Sequence, residues 1–416
     1  MKILPLILSA SLPVLSSEIT PLPIAKPERV GMSSDVLSGI NTAVDGLVKK
    51  KQLAGASVLV IRKGQIVYQD EFGYASRAAK TPVTKETLFR IYSMSKGITS
   101  AAALMLHDAG KLDINDPVSK HLPEFKNVTV WQKNREPVPA NPAPTIRDLL
   151  RHTAGFSYGW SPHPVDKKYQ KIQVLSREKS LEDMSKQVSQ FPLLYQPGTK
   201  WVYGINTDIL GRVVEAASGM KFSDYLRQNL FSPLGMTNTS FHVPQAKAKL
   251  LSDVYAGKAG FLVTAEPAVG SPFLSAPKQE SGGGGLVSTI NDFGRFLQMI
   301  ASGGTFQGRT YLKKETVALM TTNQLPKDIP AISLGGQDRK GTGFGLGFSV
   351  RTGKTNGWDK HAPIGEFGWG GMASTHYWVS PKDELVVVTM EQTLPYNSNL
   401  EEALKPIIYQ AIIEKL

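Results

Sequence analysis

The sequence predicts an α/β fold of the α+β kind: an antiparallel sheet flanked by N- and C-terminal helices, with a mainly helical lobe inserted between its two halves. Three observations lead there. The chain opens with a helical pattern and two β-branched runs, it closes with three strand-like runs and a helix, and the segments between are mostly of helical period.

Element by element, Ser33 to Lys51 carries Val36, Leu37, Ile40, Val44 and Leu47 on one face, with Ser33 or Ser34 as cap. Ser57 to Arg62 and Gln65 to Gln69 flank Lys63-Gly64, the signature of a hairpin. In the middle, Ile98 to His107, Ile146 to Arg151, Thr207 to Ala217 and Asp292 to Ala301 are helical, separated by loops rich in Pro and Gly. Thr342 to Arg351, Thr375 to Val379 and Leu385 to Met390 read as strands, with Pro381-Lys382-Asp383 turning between the last two. A closing helix runs from about Ser398 to Lys415. The expected organisation is a sheet lobe from residues 21–92 and 321–416, an inserted lobe from 93–320, and a site at the seam, where clefts form.

Composition narrows the function. The chain has 416 residues, 41% of them apolar, enough for a large core. There is no cysteine, so thiol catalysis, disulfides and Cys-based metal sites are excluded. The seven histidines are scattered and no H-E-x-x-H occurs, so no metal is expected. The formal charge of +12 is dispersed; its densest run, Lys49-Lys50-Lys51, ends a helix, where cations complement the dipole. No nucleic-acid partner is expected from it. No uninterrupted apolar run of membrane-spanning length follows the first 20 residues. Residues 1–20 read either as a secretory signal, which places the protein in the periplasm or outside the cell, or as an N-terminal arm on a cytoplasmic chain.

The chemistry begins at Ser93-Met94-Ser95-Lys96, after the strand-like Leu88 to Tyr92. Spacing i, i+3 sets Ser93 and Lys96 on one helix face, within about 5–6 Å at Cβ. A serine hydroxyl needs a neighbouring base before it attacks a carbonyl, and a helix N-terminus offers N–H groups to a developing oxyanion.

The surrounding sequence resembles the serine β-lactamase and penicillin-binding-protein superfamily. It is most similar to the class C β-lactamase-like esterases, the bacterial family VIII carboxylesterases. The motifs run in order: Leu88 to Gly97 followed by Gly110-Lys111-Leu112-Asp113, then Leu149-Leu150-Arg151-His152-Thr153-Ala154-Gly155, Pro197 to Gly204, Gly282 to Thr289, and Gly368-Trp369-Gly370-Gly371. The resemblance implies a β-lactamase-like fold, Ser93 as nucleophile, Lys96 as its proton partner and Tyr203 as general base. It implies an oxyanion hole from the backbone N–H groups of Ser93 and Met372, and a substrate wall at Trp369, Gly370 and Gly371. It implies no cofactor and a small-molecule ester or β-lactam as substrate.

Two departures bear on that substrate. The family's lactamases carry Tyr-x-Asn, whereas Tyr203-Gly204-Ile205-Asn206 puts the amide one place later, a pattern shared with fungal acyltransferases. Asn206 either reaches the substrate or caps the next helix. The lactamase K-T-G is also missing; Trp369-Gly370-Gly371 fits its place better than Arg351-Thr352-Gly353. The expectation is therefore an esterase for short acyl chains with weak β-lactam hydrolysis. The rivals are a class C-type lactamase, a D-amino peptidase or transpeptidase, an acyltransferase, and a sensor that acylates once. A different class is offered by Gly155-Phe156-Ser157-Tyr158-Gly159, which matches the G-x-S-x-G elbow of α/β-hydrolases. It would need His163, His242, His361 or His376 as base, yet a helix rather than a strand precedes it.

Overall fold

The computed structural model describes residues 20–258, 261–355 and 358–414. The proposed signal segment lies almost wholly outside them.

Helix α1 (Ser34–Lys49) is capped by Ser33, whose Oγ accepts from Val36 N, and it ends among the lysines. Its buried Leu37, Ile40 and Val44 face the sheet. Strands β1 (Gly55–Arg62) and β2 (Gln65–Ser76) form the expected hairpin. Lys63 and Gly64 both take positive φ, 50° and 74°, the twist that two-residue hairpin turns require. A short β3 (Thr81–Pro82) borders β2.

Helix α2 (Ser95–Asp108) is buried along nearly its whole length, which a sequence as small and apolar as Ala101-Ala102-Ala103-Leu104 allows. It packs beside α3 (Asn206–Ser218). Helix α4 (Ile290–Ala301) lies across the sheet, seated at Gly294, where a Cβ would stand 2.5 Å from Leu59 Cδ2.

The predicted strand from Thr342 to Arg351 is in fact two. β4 (Thr342–Phe344) and β5 (Ser349–Arg351) fold back on each other. Gly345 passes where a Cβ would meet Met320 O at 2.0 Å, and Gly347 takes φ 109° against Ser100. β6 (Phe367–Gly370), β7 (His376–Ser380), β8 (Leu385–Glu391) and α5 (Asn399–Gln410) complete the chain. The closing helix thus stops short of the predicted Lys415, which lies outside the described residues.

The result is one eight-stranded antiparallel sheet in the order β4-β5-β6-β7-β8-β1-β2-β3. Its centre joins the two ends of the chain, with Val60 opposite Val387. Along β1, Val58 and Val60 face α1 and α5, while Leu59 and Ile61 face α4 and the helical layer. That period-two division gives the central strands a core on both faces. Among the described residues no helix is long and apolar enough to cross a membrane.

Candidate active site

Ser93 sits in a 3-10 turn, Tyr92–Met94, that leads into α2. The preceding Phe89–Arg90 pairs with Val287–Ser288, and Ile91 N donates to Leu286 O. On the other side Gln392 clamps Arg90 through both its N–H and its carbonyl. Held between these, Tyr92 adopts φ 40°, an unusual value for a tyrosine and one met at functional turns. Ser93 is left half-buried at the edge of the cleft.

Lys96 follows one turn later and is buried. Its Nζ donates to Gly283 O at 2.6 Å and to Ser93 Oγ at 3.1 Å. Tyr203 arrives from 110 residues downstream and donates its hydroxyl to Ser93 Oγ at 2.7 Å. The approach depends on Gly204, where a Cβ would fall 2.1 Å from Phe156 O. Val202 N also bonds to His152 O, laying the tyrosine segment against the His152-Thr153-Ala154-Gly155 block. Lys96 Nζ lies 4.7 Å from the Tyr203 ring centroid and 5.3 Å from that of Tyr158.

Trp369, on β6, donates Nε1 to Tyr203 OH at 3.3 Å and forms a wall. Gly370, Gly371 and Met372 continue that wall in a cleft of about 840 Å³ that also contains Ser93 and Tyr203. At Gly371 a Cβ would meet Ile91 O at 2.5 Å, so this glycine lets β6 close on the turn that carries Ser93. Gly371 N donates to Thr375 O, which fixes the turn presenting Met372. Arg351 also borders the cleft, but farther along, ion-paired to Asp359 beside Lys405, Glu366 and Glu401.

Asn206 goes elsewhere. It is buried as the first residue of α3, with its Nδ2 against His152 Nδ1 at 3.0 Å and Val202 O at 3.3 Å. It neither borders the cleft nor supplies a cap to α3. The one-residue shift from Tyr-x-Asn has turned the amide inward to support His152. Burial, together with the charge of Lys96, holds His152 well below the usual imidazole range, so it stands as a neutral prop.

Sequence reasoning missed the second layer. Asp208, fully buried, takes hydrogen bonds from Ser281 Oγ and Gly283 N, linking the glycine-rich segment to the lysine it holds. Burial raises its carboxyl above the ordinary range, against the lowering pulls of Ser281 and Lys96. Tyr158 is buried beside it, its phenol raised by burial and by Asp208. Position five after Tyr203 was the one available signal for Asp208, and it is no pattern on its own.

The G-x-S-x-G elbow reading fails here. Ser157 is buried and its Oγ accepts from Gly159 N at 3.0 Å, a local turn bond. His163 caps the helix Pro164–Lys171, and His376 bonds Tyr396. Among the described residues no group of three or more His, Asp or Glu is placed to hold a metal ion.

The beta-lactamase family model matches residues 40–410. The chain belongs to the beta-lactamase family. It is similar to protein Rv1367c of Mycobacterium tuberculosis, with 31% identity over 86% of this chain and 90% of that one. It is also similar to the esterase EstB of Burkholderia gladioli, with 26% identity over 87% of this chain and 91% of that one. Among solved structures, EstCE1, described as a hydrolase with promiscuous acyltransferase activity, superposes with a TM-score of 0.75. It shares 24% identity over 90% of this chain and 98% of its own, a likeness of fold. This member of the beta-lactamase family is thus a beta-lactamase-like serine hydrolase.

Proposed function

We propose that the protein is a carboxylesterase that hydrolyses small, short-chain acyl esters through an ester on Ser93 Oγ. One observation carries the reading: Ser93 Oγ lies within hydrogen-bond distance of both Lys96 Nζ and Tyr203 OH, at the edge of an open cleft. The similarity to esterase EstB supports it.

In the reactive form the Tyr203 oxygen carries the charge and takes the proton of Ser93 as Oγ bonds to the ester carbonyl carbon. The positive charge of Lys96, beside the ring, stabilises that form. Trp369 Nε1 holds the phenolic oxygen in place. The carbonyl oxygen becomes an oxyanion between the backbone N–H groups of Ser93 and Met372, donors worth about 3–4 kcal/mol each in comparable sites. Collapse breaks the bond to the alkoxide, which takes the proton from Tyr203 and leaves as the alcohol. A water then repeats the sequence on the acyl-serine, releasing the acid and restoring Ser93.

With Asn206 turned towards His152, no side chain from that position holds the acylamide of a β-lactam, which keeps lactam hydrolysis a side reaction. Acyl transfer is the second reading. A cleft of about 840 Å³ is much larger than a short acyl group, leaving room for an acceptor alcohol.

Brief exposure to a p-nitrophenyl ester series and to a cephalosporin, followed by peptide mass spectrometry, tests the scheme. Acyl mass is expected on the Ser93 peptide, with turnover fastest for short chains. Ser93→Ala should abolish the adduct, while Tyr203→Phe should lower kcat by about 10²–10⁴. An adduct that survives Ser93→Ala and vanishes in Ser157→Ala overturns the assignment. A stoichiometric burst without turnover points to the sensor instead.

A further inference from the structure

We propose that Trp160 forms a subsite for a planar aromatic group, so that aryl-bearing esters are this enzyme's preferred substrates. The proposal rests on the esterase reading and adds the substrate class. Trp160 borders the same cleft as Ser93, yet the residue is 66% exposed. Single exposed apolar side chains are common, but three features set this one apart.

The first is its order. Trp160 stacks on Tyr158 with ring centroids 4.4 Å apart and planes 14° from parallel. Tyr158 is itself buried and set edge-on to Tyr203 at 5.3 Å. One face of the indole is therefore occupied and the rest is left to the cleft. A flat ring added there extends an existing stack instead of starting one.

The second is rigidity. The loop is tied at each step: Gln170 Nε2 donates to Gly159 O at 2.7 Å and to Ser161 O at 3.2 Å. Ser161 N donates to Asp166 Oδ2 at 2.9 Å. Gly159 takes φ 79° and lies where a Cβ would stand 2.8 Å from Tyr169 Cβ. Because both flanks of Trp160 are anchored, a ligand meets a surface that is already arranged, and little ordering remains to oppose binding.

The third is reach. The indole centroid is 6.2 Å from the Tyr203 ring, and the Tyr203 hydroxyl touches Ser93 Oγ. A ring resting on the free face of Trp160 therefore sits in the same cleft as the nucleophile, on the side of the indole away from Tyr158. Leu334 and Met372 add apolar surface to the same cleft. Offset stacking adds a factor of about 3–10 in affinity beyond area burial, so planarity rather than bulk should be what this subsite reads.

The test uses two neutral alcohols of matched carbon skeleton, planar 2-naphthol and saturated decahydro-2-naphthol. Their binding is measured by calorimetry on the intact enzyme, with kcat/KM for their acetates alongside. The wild type should bind the planar alcohol at least threefold more tightly. Trp160→Ala should lose about 3–10-fold for the planar alcohol and under twofold for the saturated one. Trp160→Phe should keep most of the preference. For the acetates, the planar-to-saturated kcat/KM ratio should fall in the Ala variant by a similar factor. Equal wild-type binding of the two alcohols, or equal losses in Trp160→Ala with native circular dichroism, overturns the proposal. If no ester is turned over while the binding preference holds, the esterase reading fails and the aromatic subsite stands.

Discussion

At the scale of single residues, several ionisable groups sit where water does not reach, and a buried group whose ionisation is shifted ties stability to pH. Glu391 is the clearest. It ends β8, is almost wholly buried, and receives Thr393 Oγ1 on Oε2 at 2.6 Å while Oε1 has no partner among the described residues. Burial pushes its carboxyl up to about 8, from 4.5 in an unconstrained chain. The folded protein therefore keeps a proton that the unfolded chain releases across that window. The stability this contributes is fully present below about pH 4.5, declines as pH rises, and is lost once pH passes about 8. Thermal unfolding of Glu391→Gln is expected to show a Tm that changes less between pH 5 and 9 than the wild type's. Parallel curves for the two proteins would mean Glu391 does not titrate in this range.

At the scale of elements, the site is made by close approaches of strands and turns, and glycines permit them. Gly371→Ala places a methyl carbon against Ile91 O and Thr375 Oγ1, forcing the end of β6 away from the turn that carries Ser93. A displacement of about 1 Å in a reacting constellation costs up to 100-fold. The expected result is a fall in kcat/KM of tenfold or more with a Tm change of only a few degrees. Activity within twofold of wild type would show that this contact does not set the site. The same elements show what was readable beforehand. Periodicity located α1, the β1–β2 hairpin, β7, β8 and α5, because each has one face or both in the core. It failed at Thr342–Arg351, where alternation continues across a reversal; Gly345 and Gly347 were the marks of the turn. Ser93, Lys96 and Tyr203 could be picked out from ordered motifs. Asp208 and Tyr158 could not, since their role arises from burial beside Gly283, a loop residue far from both in sequence. Asn206 was misjudged for a related reason: sequence gives its distance from Tyr203 along the chain but not which way a helix start will turn it.

At the scale of the whole molecule, the sheet is one surface assembled from both ends of the sequence, and its integrity depends on how those ends are joined. Met32 bridges Ile412, and Ser33 N donates to Ala411 O. The strongest tie is Arg62, wholly buried at the end of β1. Its Nη1 donates to Gly31 O at 2.6 Å, its Nη2 to Glu414 O at 2.6 Å, and its Nε to Asp383 O at 3.2 Å. One guanidinium thus closes the entry to α1, the exit from α5 and the β7–β8 turn, three places far apart in sequence. Lysine has the charge but not the planar fork that reaches three carbonyls at once. Replacing Arg62 by Leu removes all three of these hydrogen bonds at once, at a cost on the order of 3 kcal/mol or more. Urea denaturation should report that loss. Hydrogen exchange should speed first at the amides of Ser33 and Ile413, which bond Ala411 O and Gly31 O across the same junction. None of the three partners borders the cleft that contains Ser93, so ester turnover well below the unfolding midpoint should stay within about twofold of wild type. A variant equally stable in urea would show that the two ends are held by apolar packing of α1 against α5 alone. A variant stable but inactive would mean instead that this junction sets the position of β6, and through it the turn that carries Ser93.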